Sequence, residues 1–345
     1  MRRRLRLKPL GKQVMVITGA TSGIGLSTAR AACARGVRLV LAARNGEALK
    51  AVRDDLAAKK GGKIAYVVAD VGIEADVGAI AETAIREFGG FDTWVNNAGV
   101  SIFAPLTETP IADQRRLFET NYWGVVYGSL EAVKHFKTRD GGGALINIGS
   151  TTGDMALPLQ GASSASKSAV ASFTKALRME LMAERAPVSV TLVKPSAVDT
   201  PYRDHARNLA AGGSRAEAPV YATPLVAEAI LYAARQPVRE LTVGTTSGFL
   251  SVLNALAPSA AEPLMAWASP KHDLGAPSRR AVDDNLHHAG RDLRERSFQA
   301  GVRESSLYSS AQMRPKTTLA IALVAGLAAG AAMFGLRKGD KGGKD

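Results

Sequence analysis

Cysteine is almost absent from this chain of 345 residues, where Cys33 stands alone. A single thiol excludes an intramolecular disulfide and any zinc site built on cysteines. Cys33 lies in the apolar-patterned run Leu26 to Cys33 and reads as a small core residue. Histidine is scarce as well, with five in all. The pair His287-His288 has no carboxylate or cysteine at metal-ligand spacing, so no metal is expected and the pair reads as solvated loop. Acids are missing from residues 2–12, which hold Arg2, Arg3, Arg4, Arg6, Lys8 and Lys12. With Arg337, Lys338, Lys341 and Lys344 near the other end, they concentrate the net charge of +13 at the two termini. A basic arm of this kind can meet anionic lipid or nucleic acid, but on its own it reads as a solvated, disordered arm. No nucleic-acid-binding motif accompanies it, so no nucleic-acid partner is expected. The apolar run behind it, Val14 to Ile17, is too short for the core of a secretory signal.

What is present is a regular alternation. Apolar residues make up 46% of the chain, enough for a sizeable core. Six short apolar runs bounded by Gly, Asn or Asp predict buried strands: Val14–Ile17, Arg38–Ala42, Ile64–Val68, Thr93–Val95, Ala144–Ile148 and Ser189–Val193. Helix-length segments lie between them: Ile24–Ala34, Glu47–Lys59, Glu74–Phe88, Ala112–Phe136 and Ala162–Ala183. Such alternation predicts an α/β fold, a doubly wound parallel sheet with helices on both faces, over residues 13–245. In such sheets the ligand crevice lies beyond the C-terminal ends of the strands.

The pattern changes after residue 245. Residues 246–316 form a C-terminal extension, in which 268–316 is charged, rich in Ser, Gly and Pro and weak in apolar periodicity, and reads as an extended linker. Leu319–Leu336 then runs 18 residues without a charge, flanked by Lys316 and Arg337-Lys338. That length is at the lower limit for a membrane span. Gly326 and Gly330 offer a close-packing face within it. Residues 317–337 are therefore expected to form a transmembrane anchor, with 338–345 as a basic tail. The resulting expectation is a membrane-associated protein whose main domain faces the cytoplasm.

The strongest motif lies near the N-terminus. Strand Val14–Ile17 runs into Thr18-Gly19-Ala20-Thr21-Ser22-Gly23-Ile24-Gly25 and then a helix. Glycine lets the backbone turn tightly and approach a pyrophosphate, and the helix N-terminus offers amide N–H groups to that anion. The position after a strand and before a helix is the context that gives the glycine pattern meaning. The second strand ends Ala42-Ala43-Arg44. An acid there would bind the ribose 2′-OH of NAD, whereas the Arg44 guanidinium suits the 2′-phosphate of NADP(H).

The loop, in the form Thr-Gly-x-x-x-Gly-x-Gly, resembles that of the short-chain dehydrogenase/reductase family, and further segments over roughly residues 10–245 share the resemblance. Asp70-Val71 follows the third strand, where the family holds the adenine. Asn96-Asn97-Ala98-Gly99 is similar to the family's Asn-Asn-Ala-Gly segment, which stabilises the sheet and lines the cofactor. Lys194-Pro195-Ser196-Ala197-Val198-Asp199-Thr200 follows the sixth strand, where the family has Pro-Gly and a threonine that touches the nicotinamide amide; Ser196 stands at the usual glycine. The resemblance implies a Rossmann fold, a single catalytic domain with a C-terminal extension, and oxidoreductase activity between an alcohol and a carbonyl. It implies cofactor contacts from Gly19, Thr21, Ser22, Gly23, Ile24, Gly25, Arg44, Asp70, Val71, Asn97, Ala98, Gly99, Lys167, Pro195, Val198 and Thr200. It also implies a homo-oligomer, built through Ala112–Phe136 and Ala162–Ala183.

The family's active site is an Asn-Ser-Tyr-Lys tetrad. Asn121, Ser150 and Lys167 match three members of it. The fourth does not match: Ser163 stands 13 residues after Ser150 and four before Lys167, where the tyrosine is expected. Residues four apart share a helix face, so side chain 163 is predicted to project beside Lys167. In the family the tyrosine donates the proton, and general acid catalysis of this kind contributes roughly 10²–10⁴-fold. A serine hydroxyl is less acidic and falls several ångströms short, which leaves room for a bridging water. One expectation is an NADP(H)-dependent oxidoreductase of reduced activity, in which Asn121, Ser150, Lys167 and water do the proton work on a small alcohol or carbonyl; an anchor would favour a lipophilic one. A second is an inactive NADP(H)-binding sensor or scaffold tethered to a membrane. A third is that Ser163 is a local substitution in an active parent. Tyr122, Tyr127 and Tyr202 are other phenols, to none of which the sequence assigns the missing place.

Overall fold

The computed structural model describes residues 5–60, 62–209, 219–244, 256–268, 284–290 and 293–314. The expected anchor, residues 317–337, and the tail 338–345 lie outside the described residues, as do residues 210–218. Among the described residues, no helix is long and apolar enough to cross a membrane.

The chain alternates strand and helix: β1 Val14–Thr18, α1 Gly23–Cys33, β2 Arg38–Ala43, α2 Gly46–Lys60, β3 Ile64–Val68, α3 Glu74–Phe88 and β4 Thr93–Asn96. A two-residue strand β5 Ile102–Phe103 precedes α4 Ile111–Phe118, a π-helical turn Glu119–Trp123 and α5 Gly124–Lys137. Then follow β6 Gly143–Ile148, α6 Gly161–Ala183, β7 Val188–Pro195, β8 Arg207–Asn208, α7 Thr223–Arg235 and β9 Glu240–Val243. Two further helices are α8 Pro258–Ala268 and α9 Leu307–Met313.

Seven strands form a parallel sheet in the order β3-β2-β1-β4-β6-β7-β9. This is the doubly wound Rossmann arrangement. The chain starts at the middle of the sheet, builds outward through β2 and β3, then returns to the other side of β1 with β4. The crevice at that reversal, at the strand ends, is where such folds bind dinucleotides. Both faces are dry. One buries Met15, Ile17, Leu39, Leu41 and Ile230 under α1, α2 and α7, and the other buries Val14, Val16, Trp94, Phe136 and Leu177 under α3, α5 and α6. Strands covered on both faces carry near-continuous apolar runs, which is why they are legible in sequence.

Several expectations are corrected. The single helix read over Ala112–Phe136 is broken by the π-helical turn that carries Asn121; one extra residue per turn re-aims a side chain without ending the helix. Part of the basic arm, though exposed, is tied to the domain. Lys8 pairs with Asp92 at 2.7 Å, and Gln13 Nε2 donates to Lys8 O at 2.6 Å, so residues 8–13 close the N-terminal end of the sheet. The described part of 268–316 is not an extended linker. It pairs at an isolated bridge with Tyr221 and docks α9 beside β9, where Gln312 Nε2 donates to Thr242 O at 2.9 Å.

Candidate active site

The cofactor end is set by close backbone approach. Gly19 has φ +65°, and a Cβ there would lie 2.8 Å from Ala98 Cα; a Cβ on Gly25 would lie 2.1 Å from Gly19 O. Glycine at these two places lets β1, the loop and the start of α1 touch the β4 end. Asn97 locks the junction: its Nδ2 donates to Thr18 O at 2.9 Å and Gly19 O at 3.1 Å, while Thr18 Oγ1 accepts from the Asn97 and Ala98 amides. Asn96 works inside the sheet, donating to Asn147 Oδ1 at 2.9 Å and accepting from Trp94 Nε1 at 2.7 Å. No side chain caps α1, since the N-cap Ser22 makes no capping bond. Its N-terminal amides are therefore left to partners other than the cap side chain: Gly23 N donates to Arg294 O at 2.9 Å, and an anion would be held by the amides that follow. A pyrophosphate fits this glycine cradle.

One cavity of about 350 Å³ opens at the strand ends, inside the usual range of about 300–1,000 Å³ for small-molecule sites. Its walls bring together Gly19, Thr21, Ser22, Gly23, Ile24, Arg44, Asp70, Val71, Asn97, Ala98, Gly99, Pro195, Val198 and Thr200 with Ser150, Ser163 and Lys167. Two expected site residues do not line it. Gly25 is packed under the loop, and Asn121 is fully buried behind the wall. Asn121 Oδ1 accepts from Val100 N at 2.8 Å, and its Nδ2 donates to Val100 O at 3.0 Å and Ser166 Oγ at 3.1 Å. It therefore fixes the strand end that carries Val100 and Ser101.

Lys167 Nζ donates to Ile148 O at 2.9 Å. Burial without a carboxylate partner penalises the ammonium and pulls its pKa down to about 8. Ser150 accepts two bonds, from Thr152 N at 3.1 Å and Thr152 Oγ1 at 2.9 Å. Its own O–H remains to donate to a substrate oxygen. Ser163 is 5% exposed. Its Oγ meets Ser101 Oγ at 3.1 Å and accepts from Ile102 N at 3.4 Å. Helical spacing thus places residue 163 in the cavity wall, as expected, but its hydroxyl bonds to the β5 side.

The C-terminal extension joins the site. Leu293 N donates to Thr21 O, and Gly23 N donates to Arg294 O, both at 2.9 Å, so this strap pairs with the glycine loop by backbone. Asn285, Ala289 and Gly290 line the cavity. Arg44 also lines it, with its guanidinium on the carbonyls of Asn285 and Leu286. Asp70 pairs with Arg116, which also reaches Leu286 O. His287 is an exposed turn residue, as expected, but its Nε2 lies 3.0 Å from Oδ1 of the buried Asp113. Buried Asp199 collects Ser297 N and Oγ, Gln299 N and the Arg296 guanidinium.

Sequence reasoning did not assign Asn285, Ala289, Gly290 or Ser101 to the site. The first three lie in a polar stretch far along the chain from the loop they meet, with no periodicity to mark them.

Residues 13–210 match the short chain dehydrogenase family. The chain is also similar to an uncharacterised oxidoreductase, YxnA of Bacillus subtilis, with 45% identity over 333 residues covering 95% of this chain and 92% of that protein. It shares 35% identity over 193 residues with 3beta-hydroxysteroid dehydrogenase 1 of Eggerthella lenta, covering 55% of this chain and 72% of the relative. A short-chain dehydrogenase/reductase from Burkholderia phymatum, solved in complex with NAD, superposes with TM-score 0.67 at 26% identity over 74% of this chain and 96% of that one. An alcohol dehydrogenase from Thermococcus sibiricus, solved with 5-hydroxy-NADP, gives TM-score 0.59 at 26% identity over 68% and 97%. The chain belongs to the short-chain dehydrogenase/reductase family and is an oxidoreductase of that family.

Proposed function

We propose that the protein is an NADP(H)-dependent oxidoreductase that interconverts an alcohol and a carbonyl, slowed by the serine at position 163. The observation that carries this reading is the convergence of the glycine cradle, Ser150 and Lys167 on one cavity. The nicotinamide, when bound, supplies or accepts the hydride at the substrate carbon. Ser150 donates a hydrogen bond to the substrate oxygen, and Lys167 brings a proton-bearing group beside the Ile148 carbonyl. Arg44 supports NADP(H), because a guanidinium rather than an acid follows β2 and lines the cavity. Phe103, Met155 and Leu157 on the cavity wall favour a lipophilic substrate.

Two assays test the reading. NADPH should bind more tightly than NADH, with the preference lost in Arg44→Ala; equal affinities in the unaltered protein would refute the cofactor assignment. Ser163→Tyr should raise reductase turnover at least roughly 100-fold on a panel of ketones and aldehydes. A second reading is an inactive NADP(H)-binding sensor. It is favoured by one observation, the Ser163 hydroxyl bonding to Ser101 and Ile102. Absence of any gain in Ser163→Tyr across the panel would select it.

The proposal extends to assembly and location. Trp123, Leu130, Met179 and Met182 are exposed apolar residues on or beside α5 and α6, which supports a homo-oligomer through those helices. Residues 317–337 would anchor the protein to a membrane with the catalytic domain facing the cytoplasm. Deleting residues 317–345 should release it from sedimented membranes, and continued sedimentation would refute the anchor.

A further inference from the structure

Leu286 lies 242 residues beyond Arg44 along the chain, yet its carbonyl accepts from Arg44 Nη1 at 3.4 Å. Arg44 Nη2 donates to the carbonyl of the preceding residue, Asn285. Arg116 Nε reaches the same Leu286 carbonyl at 3.1 Å, and its Nη2 pairs with Asp70. One turn of the C-terminal extension therefore holds the guanidinium that follows β2 and, through Arg116, the carboxylate that follows β3. Both carbonyls are neutral, so they orient the Arg44 guanidinium without cancelling its charge. Its N–H groups form a rigid planar fork, and carbonyls on two of its nitrogens fix the direction of that fork.

The turn is seated by groups other than Arg44. The Leu286 side chain is fully buried against Val100, Ile102, Ala104, Leu117 and Ala162. This small cluster, which draws on α4, α6 and the segment around β5, is separate from the two cores under the sheet. Around it, Leu286 N donates to Asp284 Oδ1 at 3.0 Å, and Asn285 N donates to His205 O at 2.8 Å. Asp284 Oδ2 lies 3.2 Å from Arg207 Nη1. Leu286 does not line the cavity, whereas Asn285 before it does. The leucine is therefore a plug behind the wall.

We propose that Leu286 is a positioning residue for cofactor selection: its buried side chain seats the turn whose two carbonyls aim the Arg44 guanidinium at the 2′-phosphate of NADP(H). The inference rests on the NADP(H) reading of Arg44 above and extends it to the residue that sets the place of that arginine. An unheld arginine gives up rotamer freedom when it meets an anion, and a guanidinium already in place has less to give up. Its fork must also face the phosphate squarely for a bidentate bond. Loosening the turn therefore acts through Arg44 on the 2′-phosphate alone. The wall that Asn285, Ala289 and Gly290 provide serves NADPH and NADH alike. The ratio of the two affinities separates positioning from simple cover.

The test measures NADPH and NADH affinities by fluorescence titration of the full chain, with melting temperature as the check on folding. Leu286→Ala should lower the preference for NADPH over NADH about tenfold, the strength of one charge-assisted contact. Leu286→Met, which conserves volume, should keep the preference. Leu286→Ala combined with Arg44→Ala should lose no more preference than Arg44→Ala alone, because both changes act on one contact. Leu286→Val removes less and should show a smaller loss in the same sense; it decides the matter where the alanine variant does not melt cooperatively. An unchanged preference, NADPH and NADH weakened alike, or losses that add in the double variant overturn the assignment. Tighter NADPH binding also overturns it, since the carbonyls would then compete with the phosphate for Arg44. In each of these cases a preference in the unaltered protein that is lost in Arg44→Ala leaves the NADP(H) reading standing. Equal affinities in the unaltered protein bring down that reading and the assignment together.

Discussion

Replacing Asp199 with alanine should release the C-terminal strap and weaken nucleotide binding. Asp199 is 1% exposed. Its Oδ1 accepts from Ser297 N at 3.1 Å, Ser297 Oγ at 2.9 Å and Gln299 N at 3.3 Å, and its Oδ2 lies 3.2 Å from Arg296 Nε. Hydrogen bonds to a charged group contribute about 1.5–3 kcal/mol each, but they are not additive. Once the strap lifts, water satisfies the released donors, so the loss cannot exceed the docking free energy of the strap. Arg296 also keeps Glu304. We therefore expect a loss of about 2–4 kcal/mol, at or below the range for breaking a buried ion pair. The Asp199 backbone is held separately, by its N–H on Tyr221 O at 2.9 Å and by Thr223 Oγ1 on its carbonyl at 2.8 Å, so the Val198–Thr200 wall should stay in place. Hydrogen exchange read by mass spectrometry should show faster exchange over residues 293–303 and little change in β1 or β4. NADPH affinity should fall at least about tenfold, or about 1.4 kcal/mol, because Asn285, Ala289 and Gly290 leave the cavity wall. Unchanged exchange over 293–303 would refute the claim that Asp199 anchors the strap. Faster exchange with unchanged NADPH affinity would refute the claim that the strap completes the cofactor site.

Lys167→Met should stabilise the protein at neutral pH while abolishing turnover. The Lys167 pKa is depressed on folding from 10.5 to about 8. The cost is therefore fully present below pH 8 and disappears as pH rises toward 10.5. Removing the charge should add about 1–3 kcal/mol at pH 7, after allowing for the lost bond to Ile148 O, and little near pH 10.5; denaturant midpoints at the two pH values measure it. Gly25→Ala should cost about 1–3 kcal/mol and eliminate nucleotide binding, since its Cβ would meet Gly19 O at 2.1 Å; retained NADPH fluorescence enhancement would contradict this.

Much of the fold was legible because a sheet buried on both faces needs apolar strands, and loop chemistry marks their ends. All six expected strands form, within a residue or two at their ends. Thr223–Arg235 and Glu240–Val243 were not picked out as a helix and a strand, although both belong to the core. The π-helical turn at Glu119–Trp123 was not read, because single-turn π-bulges are rare inside α-helices and no motif marked one here.

The sequence alone determined the family frame, the glycine cradle and the positions of Ser150, Ser163 and Lys167, because each of these depends on spacing within one loop or one helix. Only the tertiary structure decided which groups meet across long separations. The strap reaches the nucleotide loop through backbone carbonyls and amides, which carry no residue-type signature. Arg207 N reaches Ser101 O because β8 pairs with β5, two strands of two residues each, too short for periodicity to reveal.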